Sequence, residues 1–278
     1  MAEKHRGKPK NRDSWGKLDT PLSETAALLR SSVSMYCVYW LAGTLVLGAI
    51  GAVPVAAAQL CSVAVDVGHT ADMPGASSAR GIPEFQFNRK LSKALRNALL
   101  AKDCRVTTIN EDGEIGAFRE RVEKAGDARL FVSLHHDSVQ PHYLENWEFE
   151  GADRPFSDRF AGYSLFVSRN NPFPGTSLQC ASAIGASLKA SGYSPSHYHA
   201  EPIPGENRPF ADRDNGVHYY DQLVVLQTAK QPAVLIEAGV IVNRDSERML
   251  TLPETREGIA RAIATGIATC LTTGTDAK

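Results

Sequence analysis

The chain has 278 residues, with 30 Lys or Arg against 31 Asp or Glu and a formal net charge of −1. That suits one domain of ordinary size plus an appendage and excludes disorder as the main theme. The balance hides an asymmetry: residues 1–30 hold seven basic and four acidic side chains, a net of +3, and no charge follows until Asp66, so the remainder carries −4. A basic nucleic-acid-binding surface is therefore not expected.

Within the uncharged stretch, MYCVYWLAGTLVLGAIGAV (35–53) is apolar for roughly the length of a membrane-crossing helix. Basic residues lie only on its amino side, a bias that holds the amino terminus in the cytoplasm and exports the downstream chain. Ala56-Ala57-Ala58 then offers small residues to an export peptidase. Residues 1–58 accordingly read as a basic arm plus a signal peptide or inner-membrane anchor, and 59–274 as a domain in the periplasm or cell envelope. Contact with the membrane is expected only through the amino-terminal segment. Cys37 lies in that segment, whereas Cys61, Cys104, Cys180 and Cys270 would enter an oxidising compartment where disulfides persist. No C-x-x-C pair occurs, which argues against a cysteine-based zinc ribbon. Cys61 and Cys104 each precede a strand of one βαβ unit and stand side by side if those strands are neighbours; Cys180 and Cys270 form a second candidate pair.

From Ser62 onward short apolar runs alternate with amphipathic stretches, the pattern of an α/β domain. Strands are expected at SVAVDV (62–67), RVTTI (105–109), LFVSLH (130–135), GYSLFVS (162–168), VVLQ (224–227) and AVLIEAG (233–239). Apolar residues at helical spacing predict helices over about 84–102, 115–125 and 177–191. A last helix is expected to begin near Thr251, with Thr251 and Glu254 as a capping box. Tyr193 to Asn215, rich in Pro, His, Asn and Asp, reads as a long functional loop. The expected fold is a single α/β domain with a mostly parallel or mixed central sheet of about six strands and helices on both faces.

Four residues carry the chemistry. His69 follows a buried-strand run and Gly68, which lets the chain turn sharply. Glu84 opens the first helix, where the dipole favours a carboxylate. His135 and His136 end a strand, and alternation sends only one of them to the face shared with His69, a choice that spacing leaves open. Glu237 sits in an apolar run where an acid must be paired, metal-linked or catalytic. Residues at strand ends and helix starts converge because the carboxyl ends of strands in an open α/β sheet share one crevice. Two imidazoles and a carboxylate suit zinc with one open position, and the remaining acid can move protons, so the set reads as zinc-assisted amide hydrolysis. Neither a Gly-rich phosphate loop nor a G-x-S-x-G elbow is present, which removes nucleotide-dependent and serine-hydrolase readings.

VDVGHT, the helix-opening Glu84, SLHHDS and PAVLIEAGVIVN, in that order and spacing, resemble the zinc-dependent N-acetylmuramoyl-L-alanine amidases of bacterial cell walls. The similarity runs from about Ser62 to Leu271. It implies Zn2+ bound by His69, Glu84 and His135, catalysis by Glu237, and cleavage of the amide between N-acetylmuramic acid and L-alanine in peptidoglycan. Thr70 replaces a glycine usual in the family, His136-Asp137 an Ala-Asn, and Val240 an aromatic residue. Similar enzymes carry an insertion that blocks the site until a protein activator displaces it, which here would make Glu145, Glu148, Glu150, Glu201 or Glu206 an inhibitory ligand. Alternative functions are a zinc carboxypeptidase or endopeptidase on wall peptides, and a catalytically silent peptidoglycan-binding regulator.

Overall fold

The structure, a computed structural model, describes residues 61–273. The expected basic arm and apolar export segment, residues 1–58, lie outside the described residues. Among the described residues no helix is long and apolar enough to cross a membrane.

A seven-stranded mixed sheet forms the centre, in the order β2-β1-β3-β9-β6-β8-β7. β1 (Ser62–Val67), β2 (Arg105–Ile109), β3 (Leu130–Asp137) and β9 (Ala233–Val240) run parallel. The direction reverses at β6 (Ser164–Val167), which pairs antiparallel with β9 and parallel with β8 (Val217–Tyr219); β7 (Phe210–Asp212) closes the edge. A separate hairpin, β4 (Glu145–Phe149) and β5 (Ala152–Phe156), follows β3.

β1 is buried at all six positions and β9 at all but Glu237, because helices cover both faces of the sheet, as the unbroken apolar runs require. On one face Val63, Val65, Leu130 and Val132 pack with Leu91, Leu95 and Leu99 of helix α1 (Glu84–Leu100), and with helices α3 (Pro174–Ala190) and α6 (Pro253–Thr273) through Ile184, Ile263 and Ile267. The alternate residues Ala64, Phe131 and Leu235 meet Val122 of α2 (Phe118–Lys124) and Leu226 of α4 (Val224–Thr228) on the other. The fourfold spacing of Leu91, Leu95 and Leu99 aligns them on one stripe of α1.

Two disulfides close this frame. Cys61 and Cys104, flanking the Ser62–Arg105 register pair of β1 and β2, have Cα atoms 4.6 Å apart. Cys180 on α3 joins Cys270 on α6 with a Cα separation of 5.0 Å.

Several expectations are corrected. VVLQ is the helical turn α4: the Leu226 and Gln227 amides donate to the Leu223 carbonyl and the Thr228 hydroxyl to Val224 O, so local bonds replace a strand ladder. A four-residue apolar run cannot by itself distinguish the two outcomes. Thr251 is not a cap. It ends a further helix, α5 (Arg244–Thr251), with its hydroxyl on Arg248 O, and α6 starts at Pro253, whose fixed φ suits a first helical position. Asn243 caps α5 instead, accepting from the amides of Asp245 and Ser246. The long polar segment 193–215 contains β7 and a 3-10 turn at Tyr198–Ala200, and the strands β4, β5 and β8 were not expected.

Candidate active site

His69, Glu84 and His135 meet at the carboxyl edge of the parallel strands. One donor atom from each lies within 4.8 Å of the others. Glu84 bridges the pair: Oε2 is 2.9 Å from His69 Nε2 and Oε1 is 3.1 Å from His135 Nδ1. Burial alone would raise the Glu84 pKa, but bonds from His135 and His69 overcome it and hold the carboxyl well below its usual range. The amides of Ala76 and His136 and the Asn88 carboxamide also donate to it.

Glycines leave room for this convergence. A Cβ on Gly68 would stand 2.3 Å from His135 Nε2, and one on Gly75, at φ 79°, 2.4 Å from Glu84 Oε2. His69 itself adopts φ 68°, a left-handed conformation costly for a residue with a Cβ. Its carbonyl is pinned there by the Asn110 carboxamide at 2.6 Å and by Arg121 Nη2. The same two side chains also hold Val67 O, at 2.7 and 2.9 Å, while Arg121 Nε reaches Ile115 O at 2.8 Å. Arg121 is fully buried and faces Asp66, whose Oδ2 accepts from the Ser133 hydroxyl at 2.8 Å. Burial raises the Asp66 pKa against the opposing pull of Arg121 and Ser133.

The tandem histidines separate as alternation demands. His135 faces the cluster, whereas His136 is buried against α1 with Nδ1 2.7 Å from Asn88 Oδ1, and burial pushes its pKa down to about 4. Glu237 stands opposite His135 in the β3–β9 register and opposite Ser164 of β6. It is half-buried overall, yet its Oε2 has neither solvent nor a hydrogen-bond partner. Desolvation first, then the charges of Asp137 and Glu84, raise its pKa well above the usual carboxylate range.

The acids expected in a blocking loop lie away from this group. Glu145 and Glu148 are exposed on β4 and Glu150 lies at the hairpin turn. Glu201 accepts from the Tyr143 hydroxyl and faces Arg159. Glu206 is bound by His199 Nδ1, Arg208 and Gln140. Among the described residues none of them joins the His69, Glu84 and His135 group.

Arg121, Asn110 and Asn88 were not singled out from the sequence. A polar residue inside an amphipathic helix or at a strand end looks like any surface residue, but Asp66, an acid in the apolar run SVAVDV, carried the same signal as Glu237 and points to a buried cationic partner.

Comparison with solved structures places the fold among cell-wall amidases. The N-acetylmuramyl-L-alanine amidase Ami1 from Mycobacterium smegmatis aligns with a TM-score of 0.61, covering 77% of this chain and 97% of its own at 24% identity. The N-acetylmuramoyl-L-alanine amidase of Clostridium difficile 630 gives 0.59 over 77% and 97% at 19% identity. The CwlD amidase from Clostridioides difficile, solved in complex with the GerS lipoprotein, gives 0.54 over 77% and 99% at 21% identity. Comparison with curated proteins gives no match. Residues 63–269 match the sequence profile described as N-acetylmuramoyl-L-alanine amidase, and the chain belongs to that family of enzymes.

Proposed function

We propose that the chain is a zinc-dependent amidase that hydrolyses the bond between N-acetylmuramic acid and L-alanine of peptidoglycan. The carrying observation is the meeting of His69, Glu84 and His135 beside Glu237. The donor set fits the metal: two imidazoles and one carboxylate are a common catalytic zinc set, and Gly68 and Gly75 leave the space their Cβ atoms would fill. A zinc ion held there supplies Lewis acidity, which polarises the amide carbonyl and makes a water more acidic.

The protein's own part is proton transfer and orientation. Glu237, opposite His135 in the sheet register, is placed to accept the proton of the attacking water and to return it to the departing amine. Glu84 and both imidazoles would hold the zinc, and the Asn88–His136 pair holds Glu84 from behind. Glu237→Gln is expected to lower turnover of purified wall material by about 10²–10⁴-fold with zinc content unchanged. A fully active variant would remove this residue as the base. Release of lactyl-terminated glycan with intact stem peptide marks the amidase; shortened peptides would mark a peptidase.

Export to the cell envelope is part of the proposal. It is supported by the apolar run 35–53 with basic residues on its amino side and by two disulfides, which persist in oxidising compartments. Mass analysis of the mature protein tests it and shows whether the apolar segment is removed. A protein activator is proposed as well, CwlD having been solved with GerS. Full activity of the purified chain alone on purified wall would make an activator unnecessary.

A further inference from the structure

Helices α1 and α6 pack side by side on one face of the sheet, and between them the surface opens into a groove of about 650 Å³. One wall is a stripe of α1, Lys90, Ala94, Asn97 and Ala101, at the spacing that aligns side chains along a helix; the other is Glu257, Arg261 and Thr265 of α6. From Lys90 to the end of α1 the trough runs for about 15 Å. One end, at Lys90 and Arg256, borders a small recess shared with His136 and Leu250, beside the candidate metal site. The other is Lys102, next to the Cys61–Cys104 disulfide.

The charge of this groove runs against that of the domain. Lys90, Lys93, Lys102, Arg256 and Arg261 line it with a single acid, Glu257, whereas the chain beyond residue 30 carries −4. Two of the five cations are paired, Lys93 with Glu111 at 3.5 Å and Arg261 with Glu257 at 3.7 Å, both in solvent and therefore weakly. Lys90, Lys102 and Arg256 have no ion-pair partner among the described residues. Like charges gathered along one groove repel each other and draw anions to it, so the arrangement fits an anionic occupant.

Shape narrows the choice. Lys90 and Lys102 stand at opposite ends of the trough, beyond the reach of any one small anion, whereas a linear chain with a charge in each repeat meets both. The five large apolar side chains exposed among the described residues, Met73, Leu100, Phe118, Phe173 and Val224, all lie outside the lining, so a bilayer would gain no apolar insertion here. No aromatic side chain lines the groove, so the bases of a nucleic acid would find no stacking platform. Three of the cations are lysines, point charges that suit phosphate, and one of the two planar arginine forks that match a carboxylate is engaged by Glu257.

We propose that this groove binds a linear phosphodiester polymer without nucleobases, laid between α1 and α6. The small side chains of Ala94, Ala98 and Ala101 leave room for its backbone, and the cations of the groove pair with successive phosphates. A polymer of that kind in the cell envelope holds the enzyme at the wall; this consequence rests on the proposed function, but the binding does not.

The test titrates the full chain, in neutral detergent, with a synthetic glycerol phosphate oligomer long enough to span the groove. Calorimetry is expected to show binding at low salt that weakens by about tenfold or more at physiological salt, because counterion release drives it. The triple variant Lys90→Gln, Lys93→Gln, Lys102→Gln, at three exposed positions, is expected to bind about tenfold less tightly. Arg119→Gln, Lys124→Gln, Lys230→Gln removes the same charge from exposed positions outside the groove and is expected to change affinity by no more than about twofold. No binding by the wild type, or equal weakening in both triple variants, overturns the groove. Oligoglutamate or single-stranded DNA of equal charge, bound as tightly as the glycerol phosphate oligomer, overturns the choice of polymer. Photo-crosslinking of the wild type with a diazirine-bearing oligomer decides the place independently of any variant: labels within residues 90–102 or 256–265 support the groove, and labels elsewhere overturn it. Every readout is binding, so an absence of wall hydrolysis sinks the amidase reading and leaves this one standing.

Discussion

The two halves of the central sheet are built on different terms. In the parallel half, β2-β1-β3-β9, strands have five to eight residues, β1, β3 and β9 are buried under helices on both faces, and one disulfide ties β1 to the more exposed edge strand β2 at their starts. In the other half, β6, β8 and β7 have four, three and three residues and are bordered by polar loops. All four candidate chemical residues come from the parallel half or its first crossover helix. The lesson is mechanical: a metal site needs side chains fixed to fractions of an ångström, and long, doubly covered strands supply that rigidity. The short-strand half is held by side-chain bonds instead, with His199 between Asp137 and Glu206 and Arg208 on Glu206.

The sharpest way to break the contrast is to remove the residue that joins both imidazoles. Glu84→Ala is expected to empty the site of zinc and lower wall hydrolysis by more than about 10³-fold, given the several kcal/mol such an ion contributes to the transition state. His199→Phe, in the other half, is expected to retain bound zinc. Elemental analysis beside a digestion assay checks both; equal zinc loss in the two variants would erase the distinction.

Next in size are the disulfides. They close sequence separations of 43 and 90 residues, and the chain-entropy account assigns each about 4 kcal/mol, slightly more for the longer. Replacing either pair by serines is expected to lower the unfolding free energy by that order. Denaturant titration with and without reductant measures it, and a wild type indifferent to reductant would contradict the assignment.

The polar half should reveal itself through pH. Burial works against the His199 imidazolium, but Asp137 and Glu206, each 2.8 Å from a ring nitrogen, prevail and raise its pKa to about 9. The folded value lies above the unfolded one near 6.5, so the stabilisation is complete below about pH 6.5 and fades as pH rises through about 9; its ceiling is about 3 kcal/mol. The difference in unfolding free energy between wild type and His199→Phe is therefore expected to shrink from pH 6 to pH 10. A constant difference would mean that the ring contributes packing alone.

The same contrast governs what the sequence discloses. Strands of the parallel half are legible because continuous apolar runs such as SVAVDV and AVLIEAGV need cover on both sides, and an acid inside one is conspicuous. β7 and β8 are three residues each, too short for any period to show; β7 lies inside the polar segment that reads as loop and β8 just beyond it. The β4–β5 hairpin, ENWEF and ADRPF, mixes charged and aromatic residues without clean alternation, since it is held from outside the sheet by Arg80 and Arg244 over Trp147 and by the Trp147 indole on Ala79 O. Of the candidate site, His69, Glu84, His135 and Glu237 are visible through type and position. What stays hidden is their support, because Arg121 and Asn110 act on backbone carbonyls and such bonds leave no pattern in a sequence.

That hidden support supplies the finest test. Arg121→Lys keeps a positive charge facing Asp66, so the buried acid is not abandoned, but an ammonium on a flexible stem cannot reproduce the planar fork that grips Val67 O, His69 O and Ile115 O together. His69 then relies on Asn110 alone to keep its left-handed backbone, and the imidazole loses some of its aim. Partners that orient a metal ligand are worth about 10–100-fold in metal affinity, and the lower end is expected because Asn110 remains. Competition with a chelator of known affinity measures zinc binding directly, independent of turnover, and the melting temperature of the zinc-free protein monitors the fold. A merely structural arginine would shift the melting temperature and leave zinc affinity untouched; a positioning arginine shifts the affinity by about tenfold even where the two zinc-free proteins melt together.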